Sequence, residues 1–237
     1  MSNHPDGSGG ARESSLPRIL LRLMAYVLAL AAILFVAADR WDWVMGWIYM
    51  AVYACVTVIA TLVVPLDPDL IAERTQIKEG VKEWDKRITV IGSVLYPLSI
   101  LIVAGLDLRF AWSPNVPLAL QLVALLTAAL GNLLSVWAAA VNRFYGRFVR
   151  IQKERGHSVI SDGPYRAIRH PGYLGQIIFS LASTLALGSV WALIPAGLFA
   201  LLLVVRTALE DRTLRDELGG YEAYTRRVRH RLIPYVW

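Results

Sequence analysis

The chain has 237 residues, of which 56% are hydrophobic and only 18% charged, and its mean hydropathy is +0.49. Globular chains sit nearer half apolar and a quarter charged, so the excess must face something other than water, and disorder or a fibrous repeat is excluded. The net charge of +6 would suggest nucleic acid if the basic residues formed a patch on a soluble fold. Here they fall between apolar runs, so a membrane surface accounts for them and no nucleic-acid partner is expected. The single cysteine, Cys55, leaves no internal disulfide or multi-cysteine metal site, and its apolar run lets it pack as a small hydrophobe. The expected fold is all-α, an integral, polytopic membrane protein.

In chain order, Met1–Pro17 is polar and Gly/Ser-rich without periodicity, and reads as a disordered cytoplasmic tail. Four long apolar runs follow within residues 18–141, at Ile19–Ala38, Trp43–Val64, Ile88–Leu106 and Val116–Val141. Each is long enough to cross a core of roughly 30 Å as a helix. Between the second and third, residues 67–87 set Leu70, Ile71, Ile77, Val81 and Trp84 among charges of both signs, the pattern of an amphipathic interfacial helix. Residues 142–237 form the last unit: a loop with turn signals, two shorter apolar runs at Tyr173–Leu187 and Val190–Val205, and a helix ending in a basic segment. The two short runs are joined only by Gly188 and Ser189. They fit either a re-entrant hairpin or a tight transmembrane one, and extension to their polar ends favours the second, giving about six spans.

Orientation follows from the basic residues. Assigned to the nearer side of each span, 22 of the 24 Lys and Arg fall on one side, leaving only Arg40 and Arg109 on the other. That asymmetry places both termini in the cytoplasm, as an even number of spans requires, in an inner membrane or an endomembrane. Mid-span polar residues such as Gln121, Asn132 and Gln176 are neutral, which weighs against an ion-coupled transporter and moves any chemistry to the cytoplasmic face.

Three features stand out there. The first is the run from Gly156 to Gly175, in which Asp162-Gly163-Pro164 is a turn signal and Pro171 suits the first position of a helix. The span that begins there turns its positive end toward Arg169 and His170, a setting that binds an anion such as a carboxylate or simply rests on anionic lipid. Gly172 and Gly175 leave room for a flat group or for another backbone. The second feature is Arg206 and Glu210, four apart on one helix face, followed by Asp211. They read as an ion pair ending a membrane helix, or as an acidic contact for an ammonium or sulfonium. The third is Gly219-Gly220-Tyr221-Glu222-Ala223-Tyr224, a helix cap with two tyrosines on one face, a pattern usual in packing. His157, His170 and His230 lack a ligand spacing, so no metal is expected.

The residues Gly163-Pro164-Tyr165 and Arg169-His170-Pro171-Gly172-Tyr173-Leu174-Gly175 resemble the cofactor loop of the isoprenylcysteine carboxyl methyltransferase family and of its phospholipid methyltransferase relatives. Arg206, Glu210-Asp211, Gly220-x-x-x-Tyr224 and Arg231-Leu232-Ile233-Pro234 match in order and spacing, so the resemblance covers residues 142–237. It implies a membrane-embedded methyltransferase that uses S-adenosyl-L-methionine in a cytoplasmic pocket formed by the loop, the last two spans and the C-terminal helix. Tyr165, His170, Pro171, Tyr173 and Gly175 would line the cofactor site, Glu210 would be its acidic contact, and Arg206 would lie by the reacting group. Relatives often carry two glutamates where this chain has Glu210-Asp211, so Asp211 departs from the pattern.

The acceptor implied is lipidic or prenylated and enters from the bilayer. A carboxylate needs no general base, which favours carboxyl methylation. An ethanolamine amine would have to lose a proton first, to Glu210 or a tyrosine, and phospholipid N-methylation is the enzymatic alternative. Sterol-reductase-like proteins, which resemble this family near the C-terminus and bind NADPH, are a more distant one. A membrane protein that only binds lipid surfaces is the alternative without catalysis.

Overall fold

A computed structural model describes residues 8–65, 73 and 76–237, with side chains described at 19–65, 73 and 76–237. Among the described residues there are helices and no strand. The chain is an integral, multi-pass membrane protein. Among the described residues, five helices are long and apolar enough to cross a bilayer.

Helix α1 runs Ser8–Ala38 and α2 Val44–Val63. A longer helix, α3, spans Glu83–Phe110, and α4 spans Leu118–Val141. The hairpin consists of α5, Pro171–Ala186, and α6, Leu193–Glu217, and a short α7 covers Tyr221–Arg227.

The apolar runs of the sequence thus reappear as helices, with local chemistry setting their ends. Val64 is extended (ψ 127°) because Pro65 follows it. Within α3, Pro97 has no N–H for the Ser93 carbonyl, and the backbone widens into a π-helical turn at Ile91–Leu95 just before it. Two expectations need correction. Helix α1 reaches back to Ser8, so residues 8–17 continue the first span as helix, whereas 1–7 lie outside the described residues. Of the interfacial helix expected at 67–87, positions 66–72 and 74–75 also lie outside them. Glu73 is helical, residues 76–82 carry no helix and turn at 79–80, and Glu83–Arg87 is the start of α3.

At 16 residues α5 falls short of the length usual for a span, yet the hairpin crosses from end to end. Arg206, near the end of α6, bonds Asp85 at the start of α3, while Ser189 Oγ at the hairpin tip donates to Asp107 near the end of α3. Those two acids are 22 residues apart, about 33 Å along a helix. The tip therefore lies a full bilayer thickness from Arg206. Asp107, buried, also accepts from the Ser113 backbone N–H at 2.7 Å, so the turn after α3 and the hairpin tip share one carboxylate.

Side chains of α1 to α4 and the hairpin tip make the main core, among them Leu34, Phe35, Tyr49, Leu101, Ala104, Leu125 and Leu187. Outward-facing Leu28, Val36, Leu62, Val123, Leu126 and Leu198 form the lipid belt, as does Cys55, which is exposed rather than packed inside. Helices α4 and α5 approach closely. A Cβ at Gly175 would lie 2.5 Å from the Gly131 carbonyl oxygen and 2.8 Å from the Ser135 nitrogen. Small residues at such a crossing let backbones meet where no hydrophobic effect drives helices together. Gly175→Val is expected to destabilise the protein by about 1–3 kcal/mol, the usual range for overpacking, measured as a lowered Tm in detergent.

Candidate active site

At the basic end of the bundle, the start of α5, the end of α6, the loop 142–170, α7 and the start of α3 surround a cavity of about 300 Å³. Its size is at the lower end for small-molecule sites. Apolar walls come from Val159, Leu214 and Leu218, and polar groups converge from α5 and α6.

Tyr173, in the first turn of α5, donates its hydroxyl hydrogen bond to Glu210 Oε2 of α6. The Arg206 guanidinium lies 5.2 Å from the centre of the Tyr173 ring. Arg206 does not pair with Glu210 one turn away. Its Nε and Nη2 donate to the two oxygens of Asp85, at 2.8 and 3.2 Å, and Nη2 also donates to the Arg147 carbonyl at 2.7 Å. Asp85 is fully buried and takes a third donor, the Val149 backbone N–H, at 2.7 Å.

One residue further along α6, Asp211 is also fully buried, turned away from Glu210. Arg169 grips it with Nε at 2.8 Å and Nη2 at 3.2 Å, and Arg231 Nε and the Tyr221 hydroxyl each approach to 3.0 Å. His170 Nε2 stands 3.4 Å from the same carboxylate. The Arg169 and His170 backbone N–H groups donate to the His230 and Arg231 carbonyls, and Arg169 Nη1 donates to the Val228 and Arg229 carbonyls. The loop, α6 and the C-terminal segment are thereby tied into one wall.

The start of α5 follows from its sequence. Pro171 occupies the first helical position, and among the described residues no protein acceptor takes the Gly172 and Tyr173 N–H groups. Two donors and the positive end of the helix dipole remain at the cavity. Tyr145 Oη closes over Gly172, where a Cβ would lie 2.6 Å from it. Tyr165 is buried in the opposite wall, its hydroxyl 3.2 Å from Asn142 Nδ2 and its carbonyl accepting the Tyr224 hydroxyl at 2.7 Å. Burial pushes the Tyr165 phenol well above its ordinary range and the Tyr224 phenol up to about 12, so both stay protonated at neutral pH and act as donors.

Of the residues marked in the sequence, Tyr165, His170, Tyr173, Arg206 and Glu210 line this cavity together. Pro171 and Gly175 do not. Pro171 is buried as the helix start, and Gly175 faces α4. The ion pair envisaged between Arg206 and Glu210 is replaced by Arg206–Asp85 and Tyr173–Glu210 because each partner meets a better-placed group on another helix. Sequence reasoning missed Asp85. Its one signal was an acid three residues before an apolar run, at a depth where an unpaired charge is costly.

The pattern of the isoprenylcysteine carboxyl methyltransferase (ICMT) family matches residues 118–216. Over that region the chain is similar to the ICMT family. The match runs from α4 to the end of α6, so it holds Tyr173, Arg206 and Glu210 but not Asp85, Tyr221 or Arg231. A probable protein-S-isoprenylcysteine O-methyltransferase of Oryza sativa subsp. indica is 32% identical over 101 residues, covering 40% of this chain and 50% of that protein. A Delta(14)-sterol reductase of Mus musculus is 35% identical over 86 residues, covering 35% of this chain and 20% of the reductase. One from Schizosaccharomyces pombe is 34% identical over 90 residues, covering 37% and 21%. The chain thus aligns with half or less of the length of these relatives.

Two outcomes follow for the scaffold of this cavity. Asp211→Ala leaves Arg169 buried without its anion and is expected to cost about 3–5 kcal/mol, seen as a large drop in Tm. His157 is half-buried beside Phe144, and burial together with Arg150, Arg155 and Arg143 brings its pKa down to about 4. The unfolded chain takes up this proton near pH 6.5 and the native protein only near 4, so the folded state binds fewer protons in between. Stability is therefore full above about pH 6.5 and declines as the pH falls toward 4. Thermal unfolding at pH 7 and pH 5 should show a smaller difference in His157→Gln.

Proposed function

We propose that this protein is a membrane methyltransferase that uses S-adenosyl-L-methionine to methylate a carboxylate on a lipidic or prenylated acceptor. Its cavity would then face the cytoplasm with both termini, as the concentration of Lys and Arg at that end favours. The observation that carries the reading is the meeting of Tyr173, Glu210 and Arg206 at the rim of one cavity, beside the open N–H groups of α5.

The residues present fit the cofactor. Glu210, with one oxygen held by Tyr173, offers its carboxylate to an amine, and the Gly172 and Tyr173 N–H groups suit a carboxylate. Val159, Leu214 and Leu218 supply apolar wall for an adenine ring. When bound, S-adenosyl-L-methionine supplies a methyl group on a cationic sulfur. The chain's own part is to align the acceptor, hold its charge and exclude water. Among the arginines that line the cavity, Arg206 lies beside Tyr173 and is the cation assigned here to an acceptor carboxylate. Neutralisation of opposite charges on transfer is favoured in a partly dry site. The phenols Tyr165 and Tyr224 stay protonated, in keeping with an acceptor that needs no proton removed from it.

The likeness to Delta(14)-sterol reductases gives a second reading, in which the same cavity takes NADPH. Calorimetry on the purified protein in detergent separates the two. S-adenosylmethionine and S-adenosylhomocysteine are expected to bind, NADPH is not, and Glu210→Ala is expected to weaken both adenosyl ligands by roughly 10- to 100-fold, the worth of a hydrogen bond to a charged group. Binding of NADPH alone would move the protein to the reductase reading.

A further inference from the structure

Asp85 lies outside the segment matched to the family, yet its two oxygens take the Nε and one Nη2 hydrogen of Arg206. The guanidinium has five N–H bonds. Nε–H goes to Asp85 Oδ1, and the two on Nη2 go to Asp85 Oδ2 and the Arg147 carbonyl. Among the described residues, no protein acceptor takes the two N–H bonds of Nη1. The fork that normally grips a carboxylate with two parallel hydrogen bonds is thus occupied from within the protein. Asp85 is itself fixed, since it is fully buried and also accepts from Val149 N–H at 2.7 Å and Thr89 Oγ1 at 3.3 Å.

We infer that Asp85 is a positioning residue that restricts Arg206 to a single nitrogen toward the acceptor, so that one carboxylate oxygen is held and the other is left free to react. This rests on the carboxyl-methylation reading above. A carboxylate gripped through both oxygens has its lone pairs engaged and is a poorer nucleophile. Held through one, it keeps a free oxygen whose lone pair forms the new O–CH₃ bond. The methyl–sulfur bond breaks with its electron pair passing to sulfur, and cation and anion become a neutral thioether and a neutral ester with no proton transferred. Asp85 also offsets the charge of Arg206, which keeps the substrate carboxylate from being held too tightly in the ground state.

The inference predicts binding and turnover moving in opposite directions when Asp85 is changed. Asp85→Ala and Asp85→Asn, the latter keeping an acceptor for Val149 N–H, are compared with the unaltered chain. N-acetyl-S-farnesyl-cysteine is the acceptor probe and its carboxamide the control. Calorimetry without cofactor reads carboxylate binding, methyl transfer reads kcat, and S-adenosylhomocysteine affinity with Tm reports folding. Removing Asp85 frees the fork, so the carboxylate should bind ~3- to 10-fold tighter, the worth of about one added charge-assisted hydrogen bond. The carboxamide should bind unchanged, and kcat should fall by at least ~10-fold. A residue that only braced the fold would weaken binding and transfer together. In a variant that retains S-adenosylhomocysteine binding, carboxylate affinity that does not rise, or kcat that does not fall, overturns the inference. Absence of carboxyl methylation by the unaltered chain overturns the functional reading and the inference with it.

Discussion

Two carboxylates without solvent exposure, Asp85 and Asp211, hold the basic end of this protein together. A buried acid must be matched by donors, because its charge cannot be solvated and removal of a partner leaves the other charge stranded. Asp211 gathers Arg169, Tyr221 and Arg231, with His170 beside it, so one acid fixes the loop before α5, the end of α6 and the C-terminal segment. Asp85 does the same for the start of α3, the Arg147–Val149 backbone and Arg206. The cavity lies between these two knots. Its walls are stiff because each is anchored by charge as well as by apolar packing, and Leu218, Tyr221, Tyr224 and Val228 close it with a small core of their own.

This arrangement separates scaffold from cavity lining along α6. Consecutive residues Glu210 and Asp211 point to different sides of the helix, as a turn of about 100° per residue dictates. Glu210 meets Tyr173 at the cavity, and Asp211 meets arginines behind it. A shorter side chain suits the second position, where the arginines come to the helix rather than the reverse. The departure of this chain from the two-glutamate pattern is therefore a feature of its bracing.

The opposite end is built on the same principle with weaker means. Asp107 collects Ser113 and Ser189, neutral donors that tie the hairpin tip to the end of α3. Between the two ends the helices rely on close backbone contact, as at Gly131 and Gly175, and on a belt of apolar side chains facing outward. The short α5 can cross because its two ends are held by polar contacts at both faces.

The sequence by itself determined the membrane setting, the helical class and the positions of the long spans, since hydrophobic length is a local property that no tertiary contact reverses. It also marked Tyr173, Arg206 and Glu210, which the structure brings together at one cavity. Proline placed the start of α5 for the same local reason. What only the tertiary structure decided is who pairs with whom. Arg206 finds Asp85, 121 positions away, and Arg169 finds Asp211 across 42. Gly175 meets α4 rather than a ligand. Charge pairing and backbone approach depend on distance in space, and a bilayer that sets helices side by side brings together residues that nothing in their order along the chain connects.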